Sequence, residues 1–125
     1  MTVLLWRLSP RWPVANTRTP TDPEEAPDGA AVFPLIPPEL GVHPLLLAVL
    51  HAYVFLEGSD TSIVHPAAAQ EALEYLATYL QRLCGPDLLR VREDLQTLAD
   101  FAKQEKWPKS QIQFLLDFLR ANGVP

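Results

Sequence analysis

The sequence predicts an all-α protein, a compact bundle of about four short helices preceded by an extended proline-rich N-terminal arm. Residues 45–56 are apolar apart from one histidine, a pattern typical of a helix enclosed on all sides. Three stretches follow in which apolar residues recur three and four positions apart. Nine of the 13 prolines lie at or before residue 44, and they disfavour helix in the segment that precedes it. We therefore divide the chain into an arm, residues 1–37, and a helical bundle domain, residues 38–125, which is expected to fold without the arm.

The arm is expected to be extended, with an acidic, solvated stretch over residues 20–29. Large apolar side chains interrupt it, although disordered linkers usually lack them. We expect these side chains to anchor the arm, either on its own bundle or on a second subunit. The anchors are Trp6, Trp12, Phe33, Leu35 and Ile36.

Proline and glycine mark the ends of the first two helices. The first helix is expected to begin near Pro44 and end near Gly58, because proline is tolerated at an early helical position and glycine favours termination. The second helix is expected to run from Pro66 to about Leu83. The first helix has no polar face, so we expect it to be central and Leu50 to be a core residue.

The third helix opens at Pro86 and carries a heptad-like apolar seam, which places Leu95 in the core. Its other face is polar and expected to be solvated: Arg90, Glu93, Asp94, Gln96, Thr97 and Asp100. A break at Trp107–Pro108 separates it from a fourth helix, which ends at Asn122–Gly123. Short connections between these helices predict antiparallel or sharply angled neighbours.

Charge and composition argue against several classes of function. The net charge is −5 and the basic residues are not clustered, which disfavours binding to nucleic acid or to an anionic membrane surface. The longest apolar run is shorter than the roughly 20 residues that span a bilayer. The single cysteine, Cys84, cannot form an internal disulfide, and no secretory signal is evident, so we expect a cytoplasmic protein.

No catalytic, metal or cofactor motif stands out. His43 and His65 each precede a proline at a helix start, where local capping is the simplest role. His51, inside the apolar helix, is expected to be a hydrogen-bonded core residue. Glu71 and Glu74 lack the histidine that follows glutamate in di-iron bundles, and we interpret them as surface charge. There is no nucleophile elbow and no phosphate-binding loop.

The expected function is therefore a non-enzymatic protein–protein interaction module, an accessory subunit or adaptor that acts through helix faces and the arm. Its partner would be another protein or a second copy of the chain. Two alternatives remain open: a small acidic inhibitor of the immunity type that binds a basic partner, and a small helical enzyme that uses His51. The residues expected to contact a partner are aromatic: Trp6, Trp12, Phe33, Tyr75, Tyr79, Phe114 and Phe118.

Overall fold

The computed structural model describes Trp12 and residues 29–125. This part of the chain contains a 3-10 turn at Pro38–Leu40 and four α-helices. The helices are α1 (Pro44–Gly58), α2 (Pro66–Leu80), α3 (Gly85–Gln104) and α4 (Lys109–Ala121). The all-α class and the four predicted helices are confirmed, although α2 ends at Leu80, three residues earlier than expected, and α3 begins at Gly85, one residue earlier.

The chain divides into two compact units. Unit 1 comprises Met1–Pro34 and Leu50–Leu73, and unit 2 comprises Leu35–Val49 and Glu74–Pro125. Helices α1 and α2 each contribute one part to each unit, whereas α3 and α4 belong wholly to unit 2. Separate folding of the arm and the bundle, with a boundary after residue 37, stays a prediction.

An aromatic stack forms part of the core of unit 1. Trp12 and Phe33 are each 1 % exposed, and their ring centroids lie 5.2 Å apart. The ring of Phe33 meets the imidazole of His51 edge to face, with 5.0 Å between centroids. Two anchors of the arm therefore pack on their own chain. Trp6 and residues 20–28 of the acidic stretch lie outside the described residues.

Backbone contacts fix the same part of the arm beside the end of α1. The N–H of Ala31 donates to the hydroxyl of Ser59 over 2.9 Å, and both residues are buried. A Cβ atom on Gly58 would approach the Cβ of Ala31 to 2.9 Å, which is closer than real Cβ contacts come. Glycine at this position therefore ends the helix and also allows the arm to pass close to it.

The core of unit 2 is built mainly from α3 and α4, which pack against each other. Leu95 is buried as predicted, and so is Leu50 in unit 1. Two polar residues are buried in these helices, Asp94 and Gln111, and the large apolar side chains buried with Leu95 are Leu98, Phe114, Leu115, Phe118 and Leu119. The seam predicted on the third helix is thus a core face.

The connection between α3 and α4 is a Schellman turn. The N–H of Trp107 donates to the carbonyl of Ala102 over 2.9 Å, and the N–H of Lys106 donates to that of Lys103 over 3.2 Å. Lys106 has φ 60°, in the left-handed region that this turn requires. The indole of Trp107 meets the ring of Phe101 edge to face, with 6.2 Å between the ring centroids. An apolar contact of this kind often accompanies such a turn.

Helix α1 is not enclosed on all sides, so that prediction is wrong. Leu45 and Phe55 are exposed, and Ala48 and Ala52 are exposed between them on the same helical face. The helix has no polar face, so its sequence holds no signal for the side that faces solvent. Within the described residues, no helix is long and apolar enough to cross a membrane.

Candidate binding groove

An open apolar groove lies in unit 2, with a volume of about 410 Å³. Three helices line it: the first turns of α1, the last turns of α2 with the turn that follows, and the first turns of α3. Its lining residues are His43, Leu45, Leu46, Val49, Leu76, Tyr79, Leu80, Leu83, Asp87, Arg90 and Val91. We refer to this feature as the groove.

Helical periodicity explains why these side chains converge. Leu76, Tyr79, Leu80 and Leu83 stand at positions i, i+3, i+4 and i+7, so they form one ridge along the end of α2 and the turn after it. The residues from α1 and α3 follow the same three-and-four spacing. Each wall of the groove is therefore a row of side chains on a helical segment, and none is an open sheet edge.

A hydrogen-bonded network fixes the polar end of the groove. The Asp94 carboxylate, whose residue is 6 % exposed, accepts the backbone N–H of His43 and the Nε–H of Arg90, each over 3.0 Å. The Nη2 of Arg90 donates to the carbonyl of Gly41 over 3.0 Å. These bonds join the loop before α1 to α3, so that the groove is held in shape by charge-assisted hydrogen bonds to a buried carboxylate. The sequence-based prediction that Asp94 is solvated is wrong, because the residue is buried where it accepts the N–H of His43, which lies 51 residues earlier in the chain.

Two histidines cap helices. The Nδ1 of His43 accepts the N–H of Leu45 over 3.1 Å at the start of α1. The Nδ1 of His65 accepts the N–H of Ala67 over 3.2 Å at the start of α2. Each imidazole therefore satisfies one of the N–H groups that a helix leaves unpaired at its first turn, as predicted.

Large side chains of the groove are exposed to solvent. Leu45 is 71 % exposed and Tyr79 is 59 % exposed. The guanidinium carbon of Arg82 lies 4.9 Å from the centre of the Tyr79 ring. Asp87 is exposed in the wall contributed by α3 and has no ion pair or hydrogen bond to another described side chain. The groove thus offers an apolar floor with charged groups at its margins.

The aromatic residues predicted to contact a partner have different surroundings. Tyr75 and Tyr79 are both 59 % exposed, but only Tyr79 lines the groove. Four others are buried inside the chain: Trp12, Phe33, Phe114 and Phe118. They fill the cores of their units, so their side chains offer no surface to a partner, and Trp6 lies outside the described residues. The exposure of Leu45 could not be predicted from the sequence, because every face of α1 is apolar.

His51 is the residue on which the enzymatic alternative depends. It is half-buried against Phe33, and burial lowers the pKa of its imidazole because the charged form loses hydration. Within the described part of the chain, no group of three or more His, Cys, Asp or Glu side chains is placed to hold a metal ion.

The fold and the groove define a small all-α protein with an open, mainly apolar surface groove and a rigid polar network at one end. The chain matches no protein-family model, no curated protein and no solved structure in the comparisons made with it.

Proposed function

We propose that this chain is a non-enzymatic protein-interaction module, an accessory subunit or adaptor, whose groove binds an apolar segment of a protein partner. The observation that supports the proposal most is the exposure of Leu45 and Tyr79 in a concave, mainly apolar surface. Exposed apolar surface of this kind commonly marks an interaction site. Because the only cysteine, Cys84, is unpaired and exposed, we propose a reducing, cytoplasmic setting.

The network at Asp94 supports the same proposal. It fixes the start of α1 against α3 through His43 and Arg90, so the walls need little rearrangement when a segment binds. A preformed surface loses less conformational entropy on association. Tyrosine is enriched among residues that dominate binding energy, which makes Tyr79 the expected energetic centre of the contact.

Selection from a random peptide library displayed on phage, with the full chain as bait, tests the proposal. The chain offers a matched pair of variants, since Tyr75 and Tyr79 lie on one helix and are equally exposed, while only Tyr79 lines the groove. Peptides enriched on the wild type are expected to bind Tyr75→Ser with unchanged Kd. They are expected to bind Tyr79→Ser at least about tenfold more weakly, the equivalent of about 1.4 kcal/mol.

Two outcomes would contradict the proposal. The first is the absence of any enriched peptide. The second is a set of enriched peptides whose Kd for both tyrosine variants equals their Kd for the wild type. Circular dichroism of both variants checks that each substitution leaves the helices intact.

A further inference from the structure

We infer that the groove takes two turns of an amphipathic α-helix from a partner protein, with leucine-type side chains on its apolar face and basic residues on its flank. This inference rests on the proposed function and names the class of partner segment. It is drawn from the dimensions of the groove, the nature of its walls and the charges at its margins.

The length of the groove matches two helical turns. The ridge runs from Leu76 to the end of α2 at Leu80, about 6 Å at about 1.5 Å per residue, and continues through the hydrogen-bonded turn to Leu83, so it spans about two turns. An amphipathic helix that presents residues i, i+3 or i+4, and i+7 covers the same distance. This spacing is typical of helices that bind in grooves.

The walls favour a helix over an extended segment. They are rows of side chains on α1, α2 and α3, whose interior backbone groups are already paired within each helix. An extended segment buried there would find no sheet edge for its own N–H and C=O groups, and leaving such groups buried without a partner is unfavourable. A helix satisfies those groups internally and brings only side chains into the groove.

The charges favour a basic flank. Arg90 is engaged by Asp94 and by the carbonyl of Gly41, and the guanidinium of Arg82 lies over the ring of Tyr79. Asp87 is the charged group of the lining that remains available for a new ion pair among the described residues. The net charge of −5 also attracts a positively charged partner at longer range.

A synthetic peptide tests this inference on the full chain. The probe is a fluorescein-labelled 14-residue helix of leucine, lysine and alanine with leucine on one face, and its Kd is measured by fluorescence anisotropy. Three control peptides accompany it: a scrambled sequence of the same composition, a version with a central proline, and a version with glutamate in place of lysine. We expect each of the three to bind at least about tenfold more weakly than the probe.

Four variants of the chain locate the contact. Tyr79→Ser is expected to raise the Kd of the probe at least about tenfold, and Tyr75→Ser to leave it unchanged. Asp87→Asn is expected to raise the Kd about two- to fivefold, within the range of an exposed ion pair. Glu93→Gln removes the same charge from an exposed residue of α3 outside the groove lining, so it controls for long-range attraction and is expected to have a smaller effect.

The results separate this inference from the proposed function. If the peptides selected from the library lose affinity for Tyr79→Ser but the probe does not bind, the groove is a docking site for another class of segment and the inference is wrong. If neither the selected peptides nor the probe responds to Tyr79→Ser, both proposals fail. If the proline-containing peptide bound with the same Kd as the probe, the inference that the bound segment is helical would be wrong. Self-association in sedimentation that Tyr79→Ser abolishes would make a second copy the occupant instead.

Discussion

Asp94 shows how much one polar residue contributes to unit 2. Its buried carboxylate accepts hydrogen bonds from the backbone of His43 and from Arg90. Asp94→Ala removes hydrogen bonds to a charged acceptor, a class of bond that contributes about 1.5–3 kcal/mol. We therefore expect the free energy of unfolding, measured in urea, to fall by about that amount.

Asp100→Ala is the matched control, because Asp100 is an exposed residue of the same helix that accepts a hydrogen bond from Gln96. It is expected to change stability by less than about 0.5 kcal/mol, as surface substitutions usually do. Equal losses for the two variants would show that the network around Asp94 contributes no specific stability.

His51 should make stability depend on pH in a defined direction. Burial lowers the pKa of its imidazole below the ordinary value of 6.5, so between the two values the unfolded chain binds more protons than the folded chain. Stability then rises with pH through that interval, is fully present above 6.5, and falls as acid protonates the imidazole. In His51→Leu this contribution should be missing from the profile of unfolding free energy between pH 5 and 8.

The two proteins differ only at residue 51, so the difference between the two profiles isolates the effect of His51. Residues 29–34, the described arm segment that contains Phe33, hold no titratable side chain that could reverse the effect. Superimposable profiles for the wild type and His51→Leu would show that His51 does not cause the pH dependence of the unfolding free energy.

At the scale of the element, several helix ends were predictable because they depend on local chemistry. Proline stands at the start of α1 and α2, and the break at Trp107–Pro108 separates α3 from α4. The seam of α3 was also predictable, since it depends only on spacing along one helix. These features need no knowledge of the rest of the chain.

The groove was only partly predictable, because it depends on contacts between distant segments. Tyr79 was predicted to contact a partner because it is aromatic, but nothing local distinguishes it from Tyr75. Leu45 lies on a helix that is apolar all round, so its exposure follows from tertiary packing alone. In the sequence, Asp94 stands among residues that are expected to be solvated. Its burial depends on the hydrogen bond that it accepts from His43, which lies 51 residues away in the chain.

The turn between α3 and α4 offers a test at the same scale. Lys106 adopts φ 60°, a conformation that costs a non-glycine residue about 1–2 kcal/mol. Lys106→Gly removes this strain but adds freedom to the unfolded chain, so we expect a net gain of roughly 0.5–1 kcal/mol in thermal or urea unfolding. Lys103→Gly, inside α3, is expected to lose about 1 kcal/mol. Destabilisation by both changes would show that the turn is not strained.

At the scale of the whole molecule, the arm supplies part of the hydrophobic core of unit 1. Trp12 and Phe33 are buried in unit 1, whereas Leu35 is 91 % exposed. We expect Trp12→Ala to lower the free energy of unfolding by about 3–5 kcal/mol, as for other large buried side chains. This is a large part of the roughly 5–15 kcal/mol typical of a domain.

Leu35→Ala supplies the control within the arm, and it should be nearly neutral. A loss for Trp12→Ala as small as that for Leu35→Ala would show that the arm does not dock through its tryptophan. Residues 38–125 alone lack both Trp12 and Phe33. If they fold on their own, as the sequence predicts, we expect them to unfold at lower urea concentration than the full chain.

We propose the groove of unit 2 as the surface through which this protein binds a partner. The most direct measurement is a titration of the isotope-labelled full chain with the leucine–lysine helix, followed by backbone amide chemical shifts in NMR. We expect the largest shifts to cluster at Leu45, Val49, Tyr79, Leu83 and Asp87, and at the same peptide concentration we expect Tyr79→Ser to reduce them strongly while Tyr75→Ser does not. Shifts centred instead on the exposed residues of α4, on unit 1, or spread evenly over the surface would contradict the proposal.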